Sequence, residues 1–224
     1  MGEKEQFVMI DNGFMANVET YNSREQFIFF ILKGLANNMN NASMVDTETI
    51  ADIMGLSSHS KNRLAMQNTL VSLEEKKLLL LYKDLMLTQP ISAKDMKTTK
   101  LYYGKLVDVR GEHGFTKISY KVLHKFVGLK EKYKDLMFSI YFNIIQRIYD
   151  TDKSLDYSYA TIETVEVETG INRKTIMKYL SIMKENKIIY YETISENSKK
   201  DKNYYSRWED RQELINFLHP PSEI

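Results

Sequence analysis

One stretch of this chain is repeated about 110 residues further on, and an internal repeat constrains the fold more than any single motif. Residues 47–82 and 161–192 each contain a short helical pattern, a turn around glycine, a longer cationic helical pattern and an apolar run typical of a strand. A shift of 110 positions aligns several pairs: Arg63 with Arg173, Met66 with Ile176, Leu70 with Leu180, Leu73 with Met183 and Lys77 with Lys187. The repeat predicts two copies of one folded unit.

Composition is that of a folded protein without thiol chemistry. The 224 residues are 43% hydrophobic and include no cysteine, so disulfides, thiolate metal sites and cysteine nucleophiles are excluded. No segment reaches the roughly 18 apolar residues that span a bilayer, and the N-terminus lacks the pattern of a signal peptide. We therefore expect a soluble, cytoplasmic protein without a membrane partner.

The first predicted domain covers residues 1–110. Residues 1–22 form an arm, either an ordered strand or loose chain. A helix capped by Ser23, with Gln26 three residues later, runs to about Asn37 and is followed by a loop. The next helix starts at Asp46 or Thr47 and ends at Gly55, and a third starts near Ser60. That third helix is predicted to bury Leu64, Met66, Leu70 and Leu73. A strand over 78–82, a long polar wing over 83–99 and a strand over 100–109 complete the domain.

The second predicted domain covers residues 111–224. A lead-in helix over 118–127 precedes the longest predicted helix, residues 130–149, which carries a broad apolar stripe. The extended segment 157–160, two helices over 161–186, a strand over 187–193 and a short wing that returns at Tyr204 follow. A terminal helix spans 209–218. The predicted fold class is mainly α with small β wings, in tandem winged helix-turn-helix domains.

The second helix of each pair is the candidate DNA-binding element, because a helix-turn-helix presents that helix to the major groove. In the second copy, Ile176, Tyr179, Leu180 and Met183 are predicted to face inward. From Asn172 to Tyr191 there are five Lys or Arg and one acidic residue, a local excess that the net charge of +1 does not show. Asn172 or Arg173 would stand at the helix N-terminus, where backbone amides favour a phosphate. The predicted DNA-binding residues here are Asn172, Arg173, Lys174, Thr175 and Lys178.

The first copy is less basic, and its turn is about five residues longer. Its predicted DNA-binding residues are His59, Ser60, Lys61, Asn62, Arg63 and Gln67, since Arg suits guanine and Asn or Gln suits adenine. The alternative is that this copy mainly packs or dimerises. Lysines of the wings could contact phosphates: Lys94, Lys97 and Lys100 in the first, and Lys199, Lys200 and Lys202 in the second.

Residue patterns for catalysis or metal binding are missing from the sequence. The four histidines lack ligand spacing, and neither a Gly-rich dinucleotide loop nor a P-loop is present. Glu163, Glu166 and Glu168 could mimic an acid pair, but an acidic residue near a helix N-terminus is the simpler interpretation of Glu163. We expect no enzyme activity, no metal and no cofactor.

The chain resembles the winged-helix replication initiators of Gram-positive plasmids and the related replisome organisers of phages. Three segments carry the resemblance: YNSREQFIFFILKGLANNMNN, FTKISYKVLHKFVGLKEKYKDLMFSIYFNII and KNYYSRWED. The resemblance is one of organisation over most of the chain. The chain lacks the catalytic tyrosine and the His-rich metal site of rolling-circle enzymes, so DNA nicking is not expected.

The resemblance implies a sequence-specific protein of double-stranded DNA that initiates replication of a plasmid or phage. Two alternatives stay open: a transcriptional repressor of a mobile element, and a protein–protein adaptor built on winged helices. Replication or transcription machinery would be further partners. Residues 130–149 and 209–218 are the candidate surfaces for a homodimer.

Overall fold

The chain folds into two compact units, Met1–Asp135 and Leu136–Ile224. The computed structural model describes residues 6–37, 39–107, 114–148, 157–194 and 202–220. Strand β1 (Phe7–Asp11) pairs antiparallel with β6 (Phe115–Ser119), and this pairing attaches residues 115–119 to the first unit. The boundary predicted after residue 110 therefore falls too early. A pairing between segments more than 100 residues apart leaves no local signal at residue 110.

The first unit places two helices against a small antiparallel sheet. After β1 come α1 (Asn12–Ala16), α2 (Ser23–Gly34), β2 (Ala42–Val45), α3 (Thr47–Ile53), α4 (Ser60–Glu75) and β3 (Leu79–Tyr82). They are followed by β4 (Pro90–Ile91), a 3-10 turn at Ala93–Asp95, β5 (Tyr102–Leu106), β6 and α5 (Tyr120–Gly128). The main sheet has the order β2-β5-β3-β4, and Ala42 lies opposite Lys105.

The second unit repeats this arrangement in shorter form. Helix α6 (Lys134–Ile145) leads into it and is followed by β7 (Tyr157–Ala160), α7 (Ile162–Thr169) and α8 (Arg173–Glu185). Strands β8 (Ile189–Ile194) and β9 (Lys202–Arg207) and helix α9 (Arg211–Leu218) complete it. The sheet order is β7-β9-β8, which matches β2-β5-β3: in both units the strand before the helix pair joins the last of the three strands.

The backbone repeats in detail where each long helix ends. Lys77 and Lys187 both adopt a left-handed conformation, with φ of 60° and 57°. The next N–H closes the helix in the same way: Leu78 donates to the Leu73 carbonyl at 2.9 Å and Ile188 to the Met183 carbonyl at 2.8 Å. These contacts confirm the equivalence, at 110 positions, that the sequence repeat predicts.

The two long helices bury equivalent positions. Met66 and Ile176, Leu70 and Leu180, and Leu73 and Met183 are all fully buried, as the sequence predicts. The prediction that Leu64 also faces inward is wrong, because its side chain is 53% exposed. Leu64 is six residues before Leu70, and six residues is not a return to the same face of a 3.6-residue helix.

Several boundaries differ from those expected. Asn22, not Ser23, caps α2: its side chain accepts from the N–H of Glu25, and Glu25 accepts from the N–H of Asn22 at 2.9 Å. The predicted loop before residue 46 contains β2, which the tertiary pairing with β5 creates. Residue Tyr133 has φ of 59°, which is incompatible with a helix, so α6 begins only at Lys134.

The predicted wing over 83–99 is only partly a loop. Pro90 and Ile91 turn back along β3, and the 3-10 turn after them packs on α4. Within the described ranges, no helix combines the length and apolar character needed to cross a bilayer.

Candidate nucleic-acid interface

Helix α8 presents a cationic face to solvent and an apolar face to the core of its unit. Gly170, with φ of 67°, ends α7, and the Asn172 side chain caps α8 by accepting from the N–H of Thr175 at 3.0 Å. The buried face consists of Ile176, Tyr179, Leu180 and Met183, and the outward face includes Arg173, Lys174 and Lys178, all exposed. This division is the one that the 3.6-residue periodicity predicts.

The first amides of α8 are occupied by side chains of the same unit. Glu166 accepts from the N–H of Arg173 at 3.0 Å, and Asn172 takes that of Thr175. Two donors of the predicted phosphate site at this N-terminus are therefore already satisfied in this conformation, which leaves fewer amides for a phosphate. Thr175 itself is half-buried. Glu166 thus links α7 to the first residue of α8 across the turn.

Arg173 is held from the side by α7. Its Nη1 lies 3.2 Å from Glu163 Oε1, while 61% of the arginine side chain is exposed. Lys178 Nζ lies 5.5 Å from the centre of the Tyr179 ring, which is within cation–π range. Arg173 and Lys178 thus each contact a side chain of their own unit without being buried.

Lys184 belongs to a different structure. Its ammonium donates to the Tyr191 carbonyl at 2.8 Å and lies 4.7 Å from the Tyr190 ring centre and 4.9 Å from that of Tyr191. This lysine attaches the end of α8 to β8, so we exclude it from the interface although it contributes to the local charge.

The first copy offers fewer accessible groups. His59, Ser60 and Lys61 are exposed at the start of α4, whereas Asn62 is half-buried and donates to the Ser57 carbonyl at 2.8 Å. Arg63 Nη1 lies 3.4 Å from Glu48 Oε2, and only 22% of the Arg63 side chain is exposed. Its Nε is enclosed and has no hydrogen-bond partner among the residues that the structure describes.

Gln67 is a structural residue rather than a base-reading one. Its side chain is 8% exposed, and its amide nitrogen donates to the carbonyls of Ala93 and Met96 at 2.9 Å and of Lys94 at 3.3 Å. The prediction that Gln67 contacts DNA is wrong in this conformation because the 93–96 segment covers it. Sequence spacing places Gln67 on a helix face but does not show what packs there.

The four wing lysines that the structure describes fall into three groups. Lys94 lies 2.9 Å from Glu75, an ion pair that raises the pKa of Lys94, whereas Lys97 and Lys100 are exposed. Lys202 opens β9 and is half-buried. The predictions for Lys199 and Lys200 lie outside the described residues.

A polar network that the sequence did not reveal braces the second helix pair. Glu168 of α7 accepts hydrogen bonds from Arg147 and from Asn143, the latter at 2.7 Å. Partial burial raises the pKa of Glu168, but the bonds from Arg147 and Asn143 outweigh this effect, and the pKa lies below its ordinary value of 4.5. Among the described residues, no three His, Asp or Glu side chains come together as metal ligands would.

No protein-family model matches the sequence, and no curated protein matches it. Among solved structures, the chain is similar to the crystal structure of RctB domains 2-3 (RctB-155-483), with 10% identity. The similarity covers 95% of this chain and 94% of that chain, at a TM-score of 0.39.

Proposed function

We propose that this protein binds double-stranded DNA through two winged helix-turn-helix units, with the second unit making the dominant contacts. The observation that carries the proposal is the α8 surface: Arg173, Lys174 and Lys178 point outward from a helix whose opposite face is fully buried. A helix so divided fits the major groove, while its arginine and lysines meet base edges and phosphates.

The sheet topology supports the same conclusion. In each unit a strand precedes the helix pair and two antiparallel strands follow it, so the long helix is fixed against a sheet. Winged helix-turn-helix units share this element order. Two such units in one chain would contact a longer or bipartite DNA site than one could.

The second unit dominates because its arginine is accessible. The Arg173 side chain is 61% exposed, against 22% for Arg63, and the covered Gln67 leaves the first copy with His59, Ser60 and Lys61 as its exposed candidates. The first unit would then contribute mainly phosphate contacts, which position a protein without reading sequence.

Biologically, we propose that DNA binding serves replication initiation of a plasmid or phage, and that the protein is not an enzyme. Repression of a mobile-element promoter is the alternative within the DNA-binding class. The DNA sites themselves distinguish the two roles: iterated direct repeats near the coding region fit an initiator, and a single palindrome over a promoter fits a repressor.

The test is binding of the full chain to a randomised duplex library, with recovery of the bound sequences and titration at several salt concentrations. We expect recovery of a defined site and a steep loss of affinity with salt. Loss of the two contacts in a Lys174→Ala, Lys178→Ala variant should reduce the slope of log K against log salt by about 1.8. Lys121 and Lys132 are exposed lysines of the first unit that belong to neither helix pair, and their double alanine variant is the matched control for charge.

An adaptor function is the competing class, and a groove in the first unit favours it. This groove has a volume of about 420 Å³ and is lined largely by apolar side chains of α2, β2, α3 and the residues that flank α2 and β5. The exposed side chains of Leu35, Met44 and Leu101 are part of this lining. Equal duplex affinity of the wild type, the α8 variant and the control, with unchanged folding, would favour the adaptor.

A further inference from the structure

We propose that Glu163 is a positioning residue that holds Arg173 for reading guanine and so sets part of the sequence preference of the chain, and that the Glu48–Arg63 pair is the closed equivalent of this contact in the first unit. The inference rests on the proposed DNA-binding function. It assigns a role to two acidic residues that lie beside candidate DNA-binding arginines, where the carboxylate charge alone would weaken binding to a polyanion.

The same ion pair occurs in both units. Glu48 is the second residue of α3 and Glu163 the second residue of α7, and each carboxylate meets the arginine near the start of the following long helix. The distances are 3.4 Å for Arg63–Glu48 and 3.2 Å for Arg173–Glu163. The turns between the helices differ in length: residues 54–59 form the turn in the first unit and residues 170–172 in the second. The ion pair is present in both units despite this difference.

The difference in turns makes the equivalence informative. Helix α4 begins at Ser60, three residues before Arg63, whereas α8 begins at Arg173 itself. Two helix pairs with different connections nevertheless each place an arginine against the carboxylate at the equivalent position, the second residue of the preceding helix. A casual surface ion pair would not need to survive that change.

The physical consequence is weaker attraction to phosphates and stronger discrimination between bases. A carboxylate beside a guanidinium limits its rotamers and offsets part of its charge, so the arginine attracts phosphate less strongly. The planar guanidinium is then presented in one orientation, as bidentate recognition of guanine O6 and N7 requires. An arginine without this support would contact whichever phosphate is nearest.

The two units differ in how open the pair is. Arg173 is largely exposed beside Glu163, so it can keep this contact while its free guanidinium edge meets a base. Arg63 is mostly covered beside Glu48 and must turn outward to reach DNA. The effect of the glutamate should therefore be measured first in the second unit.

The experiment uses the full chain and the duplex selected by the wild type from a randomised library. Affinity for this duplex is compared with that for copies in which each guanine is replaced in turn, and for random duplex. The variants are Glu163→Ala, Glu163→Gln, Arg173→Ala and the double variant Glu163→Ala, Arg173→Ala. Glu185→Ala, which removes an exposed acid at the other end of α8, is the control for charge.

We expect Glu163→Ala to reduce discrimination at one guanine by about tenfold or more, while binding to random duplex tightens. Glu163→Gln retains an acceptor oxygen, so discrimination should largely survive although random binding tightens as much. Glu185→Ala should tighten random binding without loss of discrimination. In the double variant, discrimination should fall no further than in Arg173→Ala.

Two outcomes would overturn the inference. If Glu163→Ala keeps full discrimination while it folds normally, Glu163 does not position the arginine, and the DNA-binding proposal stands without this detail. If the wild type recovers no sequence and binds no duplex, both the proposed function and this inference fail. Urea unfolding followed by Trp208 fluorescence verifies that the second unit of each variant is folded.

Discussion

Gly55 and Gly170 end the first helix of each pair, and they provide a comparison of one substitution in two surroundings. Both have a left-handed backbone, with φ of 71° and 67°. A Cβ added to Gly170 would meet no atom within 4 Å, whereas one added to Gly55 would lie 2.4 Å from the Glu131 carbonyl oxygen. We predict that Gly55→Ala destabilises its unit clearly more than Gly170→Ala destabilises the other.

The magnitude follows from two effects. An L-residue in the left-handed region costs about 1–2 kcal/mol, and the lower entropy of the unfolded alanine variant returns about 0.4–1 kcal/mol. Gly170→Ala should therefore cost about 1 kcal/mol. Gly55→Ala adds overpacking against backbone, typically about 1–3 kcal/mol, because the Glu131 carbonyl cannot rotate away as a side chain can. Its total should be about 2–4 kcal/mol.

Urea unfolding with two probes measures both costs. Trp208 is the only tryptophan, so its fluorescence reports the second unit, while far-UV circular dichroism follows helices in both. With a slope of about 1–3 kcal/mol per M, a cost of about 1 kcal/mol for Gly170→Ala should lower the fluorescence midpoint by about 0.3–1 M. Gly55→Ala should instead lower the dichroism transition of the first unit, and by more. Equal costs at the two glycines would refute the reasoning, because the close approach to Glu131 would then not exist.

Three further predictions concern individual side chains. Gln67→Leu should lower the free energy of unfolding of the first unit by about 2–4 kcal/mol, because buried carbonyls lose their hydrogen-bond donor. The base preference of the variant should not change. Unchanged stability together with a lost base preference would show instead that Gln67 contacts DNA. Because the pKa of Glu168 is lower in the folded state, its carboxylate stabilises the fold above about pH 4.5, and this stability is lost as pH falls through the folded pKa. Glu168→Gln should therefore flatten the acid side of the Trp208 unfolding midpoint plotted against pH, and an identical profile would contradict this. Finally, Arg173→Ala should weaken duplex binding more than Arg63→Ala, by at least about fivefold in a gel-shift titration, and the reverse order would reassign the dominant unit.

Local patterns in the sequence were sufficient to predict the helix pairs and the division of α8 into a buried face and an exposed face. Capping at Asp46, Thr161 and Asn172 and a 3.6-residue periodicity act over a few residues, so they can be recognised without the rest of the chain. The repeat at 110 positions added the equivalence of Lys77 and Lys187, whose matching left-handed backbones follow from a matching helix end.

Other features depended on residues far apart in the chain, and the sequence alone did not reveal them. Strand β2 forms by pairing with β5. Residues 115–119 belong to the first unit because they form β6, which pairs with β1. Neither partner is indicated by the strand's own residues.

The candidate interface shows the same division between local and tertiary causes. The chain's sequence determined which residues of α8 face outward, because helix geometry orients neighbouring side chains relative to one another. Tertiary packing alone decided that Gln67 is covered by the 93–96 segment and that Arg63 is enclosed while Arg173 is open. Exposure depends on what a distant segment places over a helix face, and no periodicity within the helix contains that information.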